Sequence, residues 1–152
     1  MEKEIKKILQ DLLSLLDVSL EDKEIFVEKN TDGLIVLIGG QDVGNLIGYH
    51  GNIIYALQSL LYSYISSKKG KDIQIYVDIG NYRKKREEQL LDKVKEAIRI
   101  VRLQKREYKF LPMRPSDRRL VHLEVSKYSD LVSYSVGEGL DRRVVISLSD
   151  LG

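Results

Sequence analysis

A pair of glycines three residues apart is the clearest candidate for chemistry in this chain. Gly48 and Gly51 enclose Tyr49 and His50, and a segment with helical hydrophobic spacing follows directly. Because glycine lacks a Cβ atom, a sugar-phosphate strand can lie against the main chain at such positions. The N–H groups and the dipole at the start of the following helix would favour an anion there. The loop therefore indicates a backbone-phosphate contact, although a tight turn before a helix would use glycines in the same way.

An arginine and a histidine four residues apart form the second candidate. Pro115 and Asp117 are typical of the first turn of a helix, and Arg118 and His122 follow on one face of it. Such a pair offers a cation for phosphate beside a planar ring that can stack or form hydrogen bonds. A surface pair without a role remains the alternative, because this spacing is common.

Charge is divided unevenly along the chain. Residues 1–80 contain eight lysines, no arginine and twelve acidic residues, which gives a net charge of −4. Residues 81–152 contain seven lysines, ten arginines and eleven acidic residues, which gives +6. Because arginine forms bidentate contacts with phosphate and stacks on bases, this asymmetry indicates an anionic partner for the second half. An ordinary solvated face is the alternative.

Hydrophobic spacing places the glycine loop between regular elements. The first sixteen residues have the period of an amphipathic helix, and a strand is predicted at Ile25–Lys29. A turn precedes a second strand at Leu34–Ile38, which we expect to be buried on both faces. After a short helix and the glycine loop, apolar positions predict a helix ending near Gly70 and a strand over 73–79.

The second half predicts a long helix from Tyr82 to about Glu107. An extended segment around Pro112, a second helix and two strands at 131–136 and 142–148 follow. Basic residues spaced by three or four predict a cationic ridge on the long helix, formed by Lys95, Arg99, Arg102, Arg106 and Lys109.

Several functional classes are excluded by what the sequence lacks. The absence of cysteine rules out a disulfide framework and a thiolate metal site. The two histidines lie in different halves without metalloprotease spacing, and neither a nucleophile elbow nor a Walker loop occurs. No apolar run approaches the roughly 18 residues of a membrane span. We therefore expect a non-catalytic, cytoplasmic protein without cofactor, metal or stable membrane insertion.

These motifs, in this order, resemble those of a known family. The glycine loop in its strand–helix context is similar to a KH domain, and the helix and strand before it resemble the type II form. The Arg118–His122 pair resembles the signature of the R-three-H domain. Together they resemble the Jag family of bacterial RNA-binding proteins over roughly Leu16 to Ser147, with further matching residues at Ala56–Leu60, Asp78, Tyr82–Arg83, Arg86, Pro112–Met113 and Arg142–Ile146.

The resemblance implies an α+β fold in two domains. A type II KH domain over 1–80 would run helix-strand, then strand-helix-helix-strand, around a mixed three-stranded sheet. A small α/β R-three-H domain over 81–152 would consist of a long helix, a short strand, a helix and a hairpin. The implied RNA-binding residues are Leu46, Ile47, Gly48, Tyr49, His50, Gly51, Arg102, Arg106, Arg114, Arg118, Arg119 and His122.

The implied function is single-stranded RNA binding in post-transcriptional regulation, linked to cell elongation or division, with a small single-KH-domain protein as hetero-oligomer partner. Family loops usually carry Lys or Arg where this chain has Tyr49 and His50, so we expect this loop to depend on backbone N–H groups and on stacking. Longer members carry an additional N-terminal domain; this chain starts at the KH portion, so we do not expect that domain's functions. Two alternatives stay open: a protein-interaction module whose basic face binds an acidic protein or anionic membrane, and single-stranded DNA binding.

Overall fold

The computed structural model describes residues 1–18, 24–31, 33–40, 43–48, 51–70 and 72–150. The chain divides into two compact units, Met1–Arg83 and Lys84–Gly152. Each unit contains one three-stranded sheet.

The first unit is built around a mixed sheet. Its elements are α1 (Glu2–Ser14), β1 (Ile25–Lys29), β2 (Gly33–Ile38), a single-turn 3-10 helix (Val43–Leu46), α2 (Asn52–Lys69) and β3 (Gln74–Ile79). β1 pairs antiparallel with β2, and β2 pairs parallel with β3. A parallel pair requires a crossover, which α2 supplies. The helix-strand, strand-helix-helix-strand order and the mixed sheet predicted for this half are confirmed.

One face of this sheet packs on the hydrophobic core. Along β2 the side chains of Leu34, Val36 and Ile38 are buried, whereas Leu37 is 39% exposed. The expectation that this strand is buried on both faces is therefore wrong, because its uninterrupted apolar run hides a period of two. The helices cover the buried face with side chains at helical spacing, namely Ile5, Leu9 and Leu13 of α1 and Ile54, Leu57, Leu61 and Ile65 of α2.

The glycine loop is required by both backbone conformation and packing. Gly48 and Gly51 have φ angles of +70° and +75°, a region that glycine occupies without steric cost. A Cβ atom on Gly51 would lie 2.6 Å from Cε1 of Tyr82, and one on Gly48 would lie 2.8 Å from Cγ1 of Ile53. The tight-turn explanation is thus sufficient for both glycines, and a ligand must be argued from other features. Tyr49 and His50 lie outside the described residues.

Arg83 closes the free edge of β3. Its Nε donates to the Val77 carbonyl at 2.9 Å, and its Nη2 donates to Oε1 of Gln58 at 2.6 Å. The same Gln58 oxygen accepts the Val77 N–H at 3.1 Å. The guanidinium carbon lies 4.7 Å from the ring centre of Tyr55 and 4.6 Å from that of Tyr76. Side chains thus bond both backbone groups of Val77, which prevents another strand from pairing at this position.

The second unit has the predicted order of long helix, short strand, helix and hairpin. It comprises α3 (Tyr82–Gln104), which begins within the first unit, β4 (Tyr108–Lys109), α4 (Pro115–Val125), β5 (Leu131–Val136), a 3-10 turn (Gly139–Asp141) and β6 (Arg143–Leu148). Its strands are antiparallel in the order β4-β6-β5. The sheet and both helices enclose a core that includes Val94, Val101, Phe110, Val121, Val144 and Ile146.

Two boundaries in this unit differ from expectation. α3 ends at Gln104 rather than near Glu107, because Lys105 has a φ of +55°, which a right-handed helix cannot continue. Arg106 and Lys109 therefore leave the helical repeat, and the predicted cationic ridge is wrong beyond Gln104. The last strand begins at Arg143, one residue later than predicted.

Replacing Gly51 with alanine should destabilise the first unit more than replacing Gly70. Gly70 also has a positive φ, +58°, but a Cβ there meets nothing within 4 Å, so Gly70→Ala should cost only the left-handed backbone term, about 1–2 kcal/mol. Gly51→Ala adds the overlap with Tyr82 and should cost about 3 kcal/mol in total. Urea unfolding followed by circular dichroism measures both. Equal losses would show that the Tyr82 ring moves aside freely.

Arg83→Lys should loosen β3 although it keeps the charge. Lysine cannot donate to two acceptors with the fixed geometry of a guanidinium, so the variant should lose about 1–3 kcal/mol of local stability. Native-state hydrogen exchange of residues 74–79 reports this directly. Arg99→Lys, an equivalent change elsewhere on α3, is the control and should leave that exchange unchanged; a similar effect from both would remove Arg83 from any specific role at the strand edge.

Candidate nucleic-acid interface

His122 joins α4 to β5 through both ring nitrogens. Its Nδ1 lies 2.7 Å from the Ser133 hydroxyl oxygen, and its Nε2 lies 3.0 Å from that of Ser135. The two serines share a face of β5 because side chains alternate along a strand. Burial lowers the pKa of His122 below its ordinary value of 6.5, and the positive charges of Arg118 and Arg142 lower it further. The imidazole is therefore neutral at pH 7.

Three arginines share an open surface groove with this histidine. Nη1 of Arg118 donates to the Met113 carbonyl at 2.7 Å, and Nη1 of Arg142 donates to the Gly137 carbonyl at 2.8 Å. A guanidinium has five N–H donors, so one backbone acceptor orients each side chain and leaves further donors for a ligand. Arg119 is exposed and forms no ion pair with any described residue.

These side chains line an open groove of about 440 Å³, which we call the His122 groove. Its charge comes from Arg118, Arg119 and Arg142. The rest of its lining consists of Pro115, His122, Leu123, Ser126 and Ser135. A second depression of about 640 Å³ continues along β5 past Ser133 and Tyr134 and shares His122, Ser126, Ser135 and Arg142 with the first, so we include it in the His122 groove. Among the described residues, no acidic side chain lines either one. Guanidinium groups beside hydroxyl groups suit a phosphate ligand.

The structure separates the other predicted basic contacts from this groove. Arg102 donates from Nε and Nη2 to the two carboxylate oxygens of Asp130, both at 2.8 Å. It also lies 5.2 Å above the Tyr128 ring and lines a different groove with Lys95, Ile98, Arg99, Leu103 and Tyr128. Arg106 follows the end of α3 and donates to Gln104 at 2.8 Å. Neither arginine lines the His122 groove.

Arg114 precedes α4 as its N-cap residue and is half-buried, with extended backbone angles of −62° and 155°. Its carbonyl oxygen accepts the Arg118 N–H at 3.0 Å. Arg114 thus stands at the start of the helix that carries Arg118, Arg119 and His122. Of the five basic residues predicted as RNA contacts, Arg118 and Arg119 thus lie in the His122 groove together with the histidine.

The predicted contacts of the first unit fall into two groups. Leu46 is 2% exposed and belongs to the hydrophobic core, and Ile47 packs against that core. The side chain of Leu46 therefore supports the loop from within the core, whereas that of Ile47 keeps part of its surface exposed. Gly48 is exposed, whereas Gly51 is buried beneath Tyr82.

Sequence reasoning did not select three residues of the His122 groove, namely Ser133, Ser135 and Arg142. The two serines carry a signal, because positions two apart on a predicted strand share a face. The identity of the face that meets α4 depends on packing, however, and is not visible in the spacing. Arg142 lies in the matching motif but bends back to Gly137 in a turn whose geometry the sequence does not specify.

The described residues contain no cluster of three or more His, Asp or Glu side chains positioned to bind a metal ion. None of the described helices combines the length and hydrophobicity that a membrane crossing requires.

Two family models match this chain in the order of its units. The model for the KH domain of KhpA/KhpB matches residues 2–79, and the model for the R-three-H domain matches residues 83–148. These ranges contain the glycine loop and the His122 groove, respectively.

Similar curated proteins carry the same name in different bacteria. The chain is 30% identical to RNA-binding protein KhpB of Clostridium symbiosum over 144 residues, which are 95% of this chain and 63% of that protein. It is 31% identical to the protein of that name from Bacillus subtilis (82% of this chain, 61% of that protein) and 24% identical to that of Streptococcus pneumoniae strain D39 (94% and 45%). The chain thus spans less than two thirds of each of these relatives. With a KhpA/KhpB-type KH domain followed by an R-three-H domain, the chain belongs to the Jag family.

Proposed function

We propose that this chain is a non-catalytic single-stranded RNA-binding protein whose His122 groove holds the RNA backbone. The observation that carries the proposal is the convergence of three arginines on one open groove whose described lining has no acidic side chain. Phosphate charge dominates the affinity of nucleic-acid binding. Two of these guanidinium groups are oriented by single backbone carbonyls and keep other donors available, which is the arrangement that contacts with phosphate oxygens need.

The glycine loop supports a second contact. KH domains hold about four nucleotides of a single strand against such a loop, and the family model that covers it is of this type. Residues 1–80 carry a net charge of −4, so the loop has little electrostatic attraction to offer. We assign it backbone N–H contacts and stacking by Tyr49, with His50 beside it, while residues 81–152 supply the charge.

The relatives named RNA-binding protein KhpB support RNA as the ligand in this proposal. We extend it to the remaining implications of the family resemblance: a cytoplasmic protein that regulates RNAs after transcription, together with a small single-KH-domain partner. The link to cell elongation or division is a prediction from the same resemblance. Ultraviolet crosslinking in cells, followed by sequencing of the bound RNA, tests this extension; recovery of no RNA above background would contradict it.

The arginines of the His122 groove should account for a large part of the salt dependence of RNA binding. For single strands, the slope of log K against log salt is about −0.7 per phosphate neutralised. Arg119→Gln combined with Arg142→Gln should therefore flatten the slope by about 1.4 if both side chains meet phosphate. Fluorescence anisotropy of a labelled single-stranded RNA between about 50 and 200 mM salt measures the slope.

The matched control is Arg99→Gln combined with Arg102→Gln, which removes the same charge from arginines that already pair with Glu96 and Asp130. It should flatten the slope much less. Equal flattening by both pairs would show that general positive charge, rather than the groove, binds the strand. If the wild-type chain binds no single-stranded RNA at the lowest salt but binds anionic vesicles or an acidic protein, the RNA proposal is wrong and the interaction-module alternative is right.

A further inference from the structure

We infer that Ser133 and Ser135, oriented by His122, bond to the ribose 2′-hydroxyl and an adjacent phosphate oxygen, so that the His122 groove prefers RNA to single-stranded DNA. The inference rests on the proposed function and specifies its substrate. It assigns roles to two serines on β5 and makes His122 a positioning residue that acts through them.

A neutral imidazole imposes different hydrogen-bond roles on its two partners. One ring nitrogen of a neutral histidine carries a proton and the other accepts one. Both nitrogens of His122 are within bonding distance of a serine hydroxyl, at 2.7 and 3.0 Å. One serine therefore accepts the ring N–H and can donate its own proton to a ligand. The other serine donates its proton to the ring and presents only lone pairs. This asymmetry holds for either tautomer.

The free donor of one serine and the lone pairs of the other match two groups of a ribonucleotide. A phosphate oxygen can only accept, so it pairs with the serine whose proton is free. The remaining serine needs a donor, and a 2′-hydroxyl supplies one next to the phosphate, whereas deoxyribose does not. With DNA, the lone pairs of that serine would face acceptors or lose water without a new partner, which is unfavourable. One donor beside one acceptor therefore fits a ribonucleotide.

The other polar groups of the groove offer either donors alone or acceptors alone. The charged groups that face His122 are Arg118 from α4 and Arg142 from the turn before β6, and guanidinium donors accept no proton from a 2′-hydroxyl. The phenol of Tyr134 on β5 donates to Glu107. The hydroxyl of Ser126 donates to the Leu123 carbonyl at 2.7 Å within its own helix. The two serines bonded to His122 are thus the pair in this groove that places a free hydroxyl proton beside an oxygen with only lone pairs.

Protonation of His122 would change the pattern. A charged imidazole donates from both nitrogens, so both serines would accept from the ring and turn their protons outward. Two outward donors favour phosphate oxygens and remove the position that needs a donor from the ligand. The preference for RNA should therefore decline as the pH falls below 6.5, since the pKa of His122 lies below that value.

The experiment compares single-stranded RNA and DNA of one sequence on the full chain by fluorescence anisotropy. Wild type should bind the RNA about three- to tenfold more tightly through this groove, the range for one neutral hydrogen bond. Ser133→Ala with Ser135→Ala should lower the RNA-to-DNA affinity ratio by that factor, mainly by weakening RNA binding. Ser133→Thr with Ser135→Thr retains both hydroxyls and should restore the ratio. Ser147→Ala, on β6 and outside the lining of the groove, should leave it unchanged.

A pH series distinguishes the proposed role of His122 from a purely structural one, because only the proposed role makes the RNA-to-DNA affinity ratio depend on the charge of its ring. The chain has two histidines, so His50→Gln leaves His122 as its only imidazole. In that background the ratio should hold above pH 6.5 and fall as the pH is lowered progressively below that value, whereas the serine double-alanine variant should show a flat profile. Circular dichroism checks folding, and the threonine variants and the pH series remain decisive if the alanine variant is unstable. A ratio that neither the alanine variants nor pH alters, with RNA binding intact, would overturn this inference alone; failure of the wild type to bind either strand would overturn the proposed function.

Discussion

The burial of one stripe of α4 determines the geometry of the candidate site. Val121 and Val125 are 0% and 1% exposed and lie in the core with residues of the sheet. Since successive residues of a helix are about 100° apart, this burial places Arg118 and His122 on the neighbouring face, at the margin between helix and sheet. There the His122 ring reaches two hydroxyls of β5. The packing of Val121 and Val125 thus positions the polar side chains of α4. Neither Arg118 nor His122 could keep its position without that packing.

The first unit shows a similar dependence of polar geometry on packing. Gly51 adopts a left-handed conformation directly against the Tyr82 ring, and the next residue, Arg83, bonds both Gln58 and the edge of β3. Residues at the start of α3 therefore complete the unit that carries the glycine loop. A close approach to protein atoms explains these glycines as fully as an approach to phosphate would, so glycine spacing alone is weak support for a ligand.

Sequence reasoning predicted the parts of this structure that depend on local pattern. The period of apolar residues located the helices and strands, and Pro115 located the start of α4. It failed where contacts with residues distant in the sequence determine which side chains are paired or buried. The partner of Arg102 is Asp130, 28 positions away, so an arginine that looked available for phosphate is already paired. The continuous apolar run of β2 concealed an exposed Leu37. Burial of Leu46 and the positive φ of Lys105 likewise depend on tertiary packing.

Affinity and discrimination in the His122 groove rest on different physical interactions, which are nevertheless coupled. Charge-assisted contacts are worth about 1.5–3 kcal/mol each, against about 0.5–1.5 kcal/mol for a neutral hydrogen bond, so the arginines would dominate binding. In the proposed binding mode they bond to phosphate, which RNA and DNA share. The same positive charges, from Arg118 and Arg142, add to burial in lowering the pKa of His122. A protonated ring would attract phosphate more strongly but would turn both serine protons outward. By disfavouring that state, the arginines that capture a strand also preserve the asymmetric hydroxyl pair on which the choice between RNA and DNA depends.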